Sequence, residues 1–365
     1  MPVEVEELNS KIERGVADGQ LMESSVKNIR SLLAGSTTDL YLNSVNQLAD
    51  SCEWSELNDR FYQTLAFGTG GLRGRTIGKI VTTAERGKAR EDERPEFPCV
   101  GTNAMNFFNI NRATRGLVAY LLDWNRREGS STKPKLVIAH DPRFFSKEFA
   151  GLAAKVAAEN GCDAFVFDAS RSVPELSFAV RHLHASAGIV ITASHNPPHD
   201  NGYKVYFDDG AQVIEPHASG IIAKVNAITT EAFTPLPKEQ QGKVTVIGKN
   251  IDQAYMYRLE TLILEPRVIR EAKSLRIVYT PLHGGMEKLR PSAFAHPGSQ
   301  SLRRVSRTDS RDAGRPGCYV DRSSRHRIAL LHVCLDDVSL DACLREMRHR
   351  SRCIGSAKPD QRHNN

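Results

Sequence analysis

The chain has 365 residues, 40% of them hydrophobic and 25% charged, and a formal net charge of +6. That is ample for a packed core and suggests two or three domains. No stretch approaches the roughly 20 consecutive apolar residues of a membrane span, and the acidic start MPVEVEELNSKIERGVADGQ lacks the basic-then-apolar order of a secretory signal.

A cytoplasmic protein is therefore expected. The seven cysteines follow no regular spacing, as suits reduced thiols rather than a disulfide framework. The charge is unevenly spread. From position 291 onward thirteen Arg and one Lys face eight acidic residues, so the first 290 residues are neutral. The body of the protein has no electrostatic reason to bind nucleic acid.

Taken in chain order, residues 1–66 read mostly as helix, because SKIERGVADGQLMESSVKNIRSLLAG and DRFYQTLAF carry apolar residues three and four apart. A glycine-dense loop follows, FGTGGLRG from Phe67 to Gly74. The charged insert TTAERGKAREDERPEFPC (82–99) reads as exposed turns, and NRATRGLVAYLLDWNRR (111–127) as an amphipathic helix. KLVIAH (135–140) is a strand. Ser146 is suited to cap the next helix, with Glu148 in its first turn and Gly161 just past its end. DAFVFD (163–168) is a second strand, PELSFAVRHLHA (174–185) a helix opened by Pro174, and AGIVITA (187–193) a strand apolar enough to be buried on both faces. This β-α-β-α-β order predicts a parallel sheet wrapped by helices.

YKVYF and AQVI flank the turn DDG (208–210) as a hairpin, and a helix runs to about Ile228. The proline-bearing stretch 229–242 reads as a linker. KVTVIG, a long helix over 251–273 and LRIVYTPL (275–282) then read as the opening of a second α/β unit. The fold class expected is α/β: a three-layer α/β/α domain with a mixed, mainly parallel sheet, the start of a second similar domain, and an irregular tail. The division is a helical extension over 1–66, the main domain over 67–230, a partial second domain over 231–286 and an Arg-rich tail over 287–365, expected to be disordered because 301–327 shows no hydrophobic period, with 328–350 able to form one helix.

The chemistry gathers where strands end, because ligands of parallel α/β sheets collect at the strands' C-terminal edge. Ser194 follows the strand 187–193 directly, Pro197 and Pro198 stiffen the loop, and Asn201-Gly202 reads as the turn that brings Lys204 back towards it. A serine in a rigid loop beside a lysine suits a phosphoryl carrier and its proton partner; a capped turn with a satisfied serine is the alternative. No G-x-S-x-G elbow surrounds it, which argues against a hydrolase-type nucleophile. In FGTGGLRG the glycines let backbone N–H groups approach an anion, and Arg73 adds a planar cation; an ordinary glycine turn is the alternative. Asp141 and Arg143 of HDPRFFS leave strand 135–140 on the same edge as Ser194; an Asp-Pro turn with a surface arginine is the alternative.

Together these motifs are similar to a known family. TASHNPPHDNGYKVY (192–206) closely resembles the active-serine signature of the α-D-phosphohexomutases, the phosphoglucomutase/phosphomannomutase family. FGTGGLRG, DPRFFSKEFA, PELSFAVRHL, NGYKVYFDDGAQ and YTPLHG stand in the family's order, with wording nearest its long phosphoglucomutase/phosphopentomutase branch. The resemblance spans roughly residues 40 to 285. It implies a phosphoserine enzyme that shifts a phosphoryl group within a hexose or pentose phosphate. Ser194 would be the phosphoserine and one ligand of Mg²⁺. Lys204 and His195 match proton-transfer and active-site positions, and Arg73 the loop arginine beside the phosphoserine. Thr69, Gly70, Arg73, Arg143 and Asn196 are the expected phosphate or substrate contacts. The partner is a phosphosugar, with no specific nucleic acid and no membrane.

The resemblance stops near Gly285. The family's Mg²⁺ also needs three aspartates in a D-G-D-x-D-R loop, in keeping with a hard cation's preference for oxygen. The window where that loop belongs, roughly 324 to 354, offers Asp336, Asp337 and Asp341 at the wrong spacing. The sugar-recognition and phosphate-binding loops of the third and fourth domains do not occur. A reading-frame change near residues 285–287 accounts for the abrupt shift to Arg, Ser, Cys and His. Cys334, Cys343, His349 and Cys353 match no common zinc spacing, and the tail's arginines lack interleaved aromatics apart from Tyr319. The expected outcome is a mutase-family protein with impaired turnover; a non-catalytic phosphosugar-binding or interaction module and an unstable fragment are the rivals.

Overall fold

The computed structural model describes residues 5–68 and 70–271, with the dipeptides 276–277 and 328–329. Thr69, the tail's cysteines and His349, and Asp336, Asp337 and Asp341 lie outside the described residues.

Four helices open the chain, as their apolar spacing predicts: α1 (Val5–Ala17), α2 (Glu23–Ala34), α3 (Asp39–Asp50) and α4 (Trp54–Phe61). They bury a core of their own around Leu8, Ile12, Ile29, Val45, Leu57 and Phe61, which Val100 and Phe108 join from the next domain. The charged insert is not wholly exposed. Its single-turn helix α5 (Thr83–Arg86) carries a capping box between Thr82 and Glu85. Glu85 is buried because Arg60 of α4 reaches it at 2.5 Å while also holding Glu56 at 2.8 Å.

The sheet comprises β1 (Gly71–Arg75), β2 (Lys135–His140), β3 (Asp163–Phe167), β4 (Ala187–Ile191), β5 (Asp200–Phe207) and β6 (Val244–Ile247), in the order β1-β5-β4-β2-β3-β6. β4, β2, β3 and β6 pair in parallel, while β5 and β1 add antiparallel at one side. Side chains alternate between faces of a strand. Leu136 and Ile138 of β2 therefore join one core, with residues of α6 (Phe107–Arg127), α7 (Ser146–Glu159) and α9 (His217–Asn226). Val137 and Ala139 join another, with Leu176, Ala179 and Val180 of α8 (Val173–His182) and Ile251 of α10 (Lys249–Glu260). These are the three layers expected. β4, buried at every position, supports both.

Several local expectations need correction. KVTVIG does not start a separate sheet: β6 pairs with β3 from Ala164↔Val244 to Phe167↔Ile247, extending the same one. The helix expected over 251–273 is two, α10 and α11 (Pro266–Glu271), since the residue before a proline is driven out of the helical region. The hairpin turn forms, with Gly210 at φ 77 and Phe207 N–H bonded to Ala211 O, but its return leg makes one bridge, Tyr206↔Gln212, rather than a strand. Ser146 does not cap α7. Phe145, at φ 65, holds the cap position, and Ser146 is the first helical residue.

Candidate active site

β4 ends at Ile191, and within three residues the chain turns at Ser194, whose φ of 58 is left-handed. Such a conformation is costly for a side chain other than glycine and persists where neighbours hold it. Here Ser194 N–H donates to Thr192 Oγ1 at 2.9 Å, and Ser194 O accepts from Arg143. The return is made by residues 194–199, not by Asn201-Gly202. Those two already belong to β5, where Asn201 faces Gly74 and Gly202 faces Arg73 of β1.

This register brings the catalytic candidates together. Lys204 pairs with Val190 of β4 on one side and Gly71 of β1 on the other. Its Nζ donates to Ser194 Oγ at 2.6 Å. Arg73, exposed at the middle of β1, donates to Asn196 Oδ1 at 3.3 Å, while Asn196 Nδ2 reaches Asp200 at 3.1 Å. His195 is exposed and has no hydrogen bond or ion pair among the described residues. Two cationic side chains thus approach the serine loop from neighbouring strands, which is the arrangement a phosphoryl group on Ser194 requires.

The other loop positions divide. The carbonyl of Gly70 accepts from Val205 N–H at 3.2 Å, tying the glycine loop to β5. Gly71, at φ 129, allows that approach, because a Cβ there would fall 1.8 Å from Tyr203 O. Arg143 lies under the serine loop, bonded to its carbonyls. Sequence reasoning did not single out Ser146 and Asn201 as site supports. Asn201 is fully buried, with Nδ2 donating to Ser146 Oγ at 2.9 Å and to Phe144 O at 3.0 Å. The sequence signal was an Asn-Gly pair, which reads as a turn; its true role appears only once Ser146 is seen beside it.

No three His, Cys, Asp or Glu side chains gather into a metal site among the described residues. The described residues do not by themselves fit a resident Mg²⁺, and the chemistry below is derived from side chains alone. Among the described residues no helix is long and apolar enough to cross a membrane.

Residues 98–232 match the family model described as phosphoglucomutase/phosphomannomutase, alpha/beta/alpha domain I. The chain is 33% identical over 244 residues to a protein named a probable phosphoribomutase in Schizosaccharomyces pombe, covering 66% of this chain and 37% of that one. It is 33% identical over 237 residues to a phosphoglucomutase of Staphylococcus saprophyticus, covering 63% and 36%. A solved structure from Thermus Thermophilus, assigned as a phosphomannomutase, is 26% identical over 55% of this chain and 36% of its own, with a TM-score of 0.40. The matched part thus spans little more than a third of the curated relatives' length.

Proposed function

This chain belongs to the phosphoglucomutase/phosphomannomutase superfamily, and from that premise we propose that it is a phosphosugar mutase of the phosphoserine type, an isomerase by lineage. The observation that carries the proposal is the 2.6 Å contact between Lys204 Nζ and Ser194 Oγ. In the forward half-reaction a sugar hydroxyl attacks the phosphoryl group on Ser194. The new O–P bond forms on the sugar as the P–Oγ bond breaks. Lys204 gives its proton to the departing Oγ, and the sugar hydroxyl's proton leaves to water. In the second half Ser194 Oγ attacks the other phosphate of the bisphosphate, Lys204 takes its proton back, and the released sugar oxygen is protonated. Arg73 holds the phosphoryl oxygens from the β1 side, with Asn196 and Gly70 shaping the loop around them and His195 facing the incoming sugar. Phosphoryl transfer depends chiefly on such positioning and charge neutralisation.

The substrate in this reading is a hexose or pentose phosphate in the cytoplasm, since relatives are named for both sugar classes. By family resemblance Mg²⁺ would accompany the reaction, and Ser194 is the one expected ligand that this sequence offers. A second reading, a non-catalytic phosphosugar-binding module, is favoured by the missing D-G-D-x-D-R segment. Incubation of the full chain with glucose 1,6-bisphosphate, followed by mass spectrometry of the Ser194 peptide, tests the choice. Phosphate on Ser194 supports the mutase lineage. Calorimetric binding of glucose 1-phosphate with Ser194 unmodified sinks it in favour of the module. A coupled assay with glucose 1-phosphate then reads turnover directly, and mutase turnover lost in Ser194→Ala supports the mutase reading.

A further inference from the structure

We propose that Arg143 is a positioning residue and not a phosphate ligand: with Asp141 it braces residues 194–200 so that Ser194 Oγ meets Lys204. The inference rests on the phosphoserine reading for its catalytic consequence and on geometry alone for the brace.

A guanidinium has five N–H donors and no acceptor. In Arg143 all three nitrogens are engaged by protein. Nη1 donates to Pro197 O at 2.9 Å and Asp200 O at 3.4 Å. Nη2 donates to Asn196 O at 2.8 Å and to Ser194 O. Nε lies 3.1 Å from Asp141 Oδ2. One planar fork therefore gathers four main-chain carbonyls from seven consecutive residues. A lysine, with a single charged point, could not span them. Arg143 is also largely covered, its side chain 14% exposed. Both terminal nitrogens are thus spent on loop carbonyls, and Nε lies against the Asp141 carboxylate.

The brace is itself anchored. Asp141 N–H donates to Ile191 O at 3.1 Å, joining the loop after β2 to the last residue of β4. Asp141 Oδ1 accepts from Arg143 N–H at 3.0 Å and from Ser146 Oγ at 2.7 Å. Ser146 Oγ in turn accepts from Asn201 of β5. The path Asp141–Ser146–Asn201 returns to the strand that carries Lys204, so both partners of the Ser194–Lys204 contact are fixed to one frame. A serine in the left-handed region needs such a frame, because its own backbone preference opposes it.

The test compares the wild-type full chain with Arg143→Ala and Arg143→Lys, using hydrogen exchange across residues 193–202 and phosphate incorporation into Ser194 from glucose 1,6-bisphosphate. Arg143→Ala is expected to speed loop exchange at least about tenfold, since the loop loses several hydrogen bonds to a charged group at once. Exchange in α6 and β2 should stay at wild-type rates, which reports an intact fold. The saturating rate of phosphate incorporation should fall about a hundredfold, the cost of misplacing reacting atoms by about 1 Å, while half-saturating bisphosphate changes little. Arg143→Lys should lie between. Unchanged loop exchange in Arg143→Ala overturns the brace, as does a large rise in half-saturation with the rate preserved, the signature of a lost phosphate ligand. Should Arg143→Ala unfold, the same measurements on Arg143→Lys decide: faster loop exchange supports the brace and wild-type exchange overturns it. If the wild type takes up no phosphate, the phosphoserine reading fails, and loop exchange still decides the brace.

Discussion

Gly71 and Lys204 stand opposite each other in the β1–β5 ladder, and the glycine's φ of 129 lets the two strands close to where a Cβ would meet Tyr203 O at 1.8 Å. The closeness is what delivers Arg73, two residues along β1, to the serine loop. Gly71→Ala should therefore force β1 away from β5. The expected cost is on the order of 2 kcal/mol or more, the range of backbone strain combined with lost packing. Urea denaturation of variant and wild type measures it, and a midpoint within error of the wild type would show that β1 yields freely.

Ser194→Ala should abolish phosphate incorporation at the site without changing the fold, since the Oγ is partly exposed and its single partner among the described residues is Lys204. Lys204→Met removes the proton donor yet keeps the stem. A slowing on the order of a hundredfold or more is expected, the usual worth of a positioned general acid or base. Labelling by glucose 1,6-bisphosphate, followed over time, reads both. Wild-type kinetics in Lys204→Met would remove the lysine from the chemistry.

Much of this was legible beforehand, for identifiable reasons. β2 carries the sequence KLVIAH at its predicted bounds, and β4 reads as buried because apolar runs leave few other solutions. Ser194 and Lys204 read as neighbours across a turn between their strands, though the turn lies at 194–199 and not at Asn201-Gly202. What the sequence hid was long-range. β6 looks like any strand opening a new unit, and only its ladder with β3 assigns it to the first sheet. Arg143, adjacent to a proline and close to an aspartate, reads as a phosphate or substrate contact; its hold on the serine loop depends on carbonyls more than fifty residues away. Glu85 sits in a run of charges, and nothing local says that Arg60 draws it inside.

That buried cluster gives a stability prediction. Arg60 is 3% exposed and bonds Glu56 and Glu85, each also buried. Replacing Arg60 with Met strands two carboxylates with no counter-charge, and removing one partner of a buried ion pair costs about 3–5 kcal/mol. Burial in the same cluster pushes the Cys99 thiol up to about 12, so Cys99 should resist alkylation while exposed Cys52 reacts. Thermal melting of Arg60→Met, with thiol labelling before and after, checks both. A melting point equal to the wild type's would mean the carboxylates find water.

A second buried carboxylate makes stability pH-dependent. Burial first, and the nearby Asp252 second, push Glu175 of α8 up to about 8 from an ordinary value of 4.5. Among the described residues no hydrogen bond of ordinary geometry reaches either of its oxygens, and Arg171 Nε, which lies 2.7 Å from Asp252, stays 3.7 Å away. The folded state thus binds this proton more tightly than the unfolded chain. Its contribution is full below about pH 4.5 and declines as pH rises towards about 8. Glu175→Gln should flatten that decline and be the more stable protein at the alkaline end. Denaturant midpoints from about pH 5 to about pH 8 compare the two, and parallel slopes would show that Glu175 does not titrate in the window.

The gene supplies the last test. Up to position 290 acidic and basic residues balance; beyond it thirteen Arg accompany a single Lys, and the amphipathic spacing that built α1 through α10 stops. A change of reading frame near residues 285–287 produces such a join, because codons read out of step keep the base composition but lose the alternation selected for a core. Translating the other two frames downstream of Gly285 is expected to reveal a D-G-D-x-D-R segment at the height of residues 324–354. A chain rebuilt through that frame should turn over phosphosugar faster than the present one, in a coupled assay run on both. Finding the segment in neither frame would falsify the frame change and leave the Arg-rich stretch as the protein's own design.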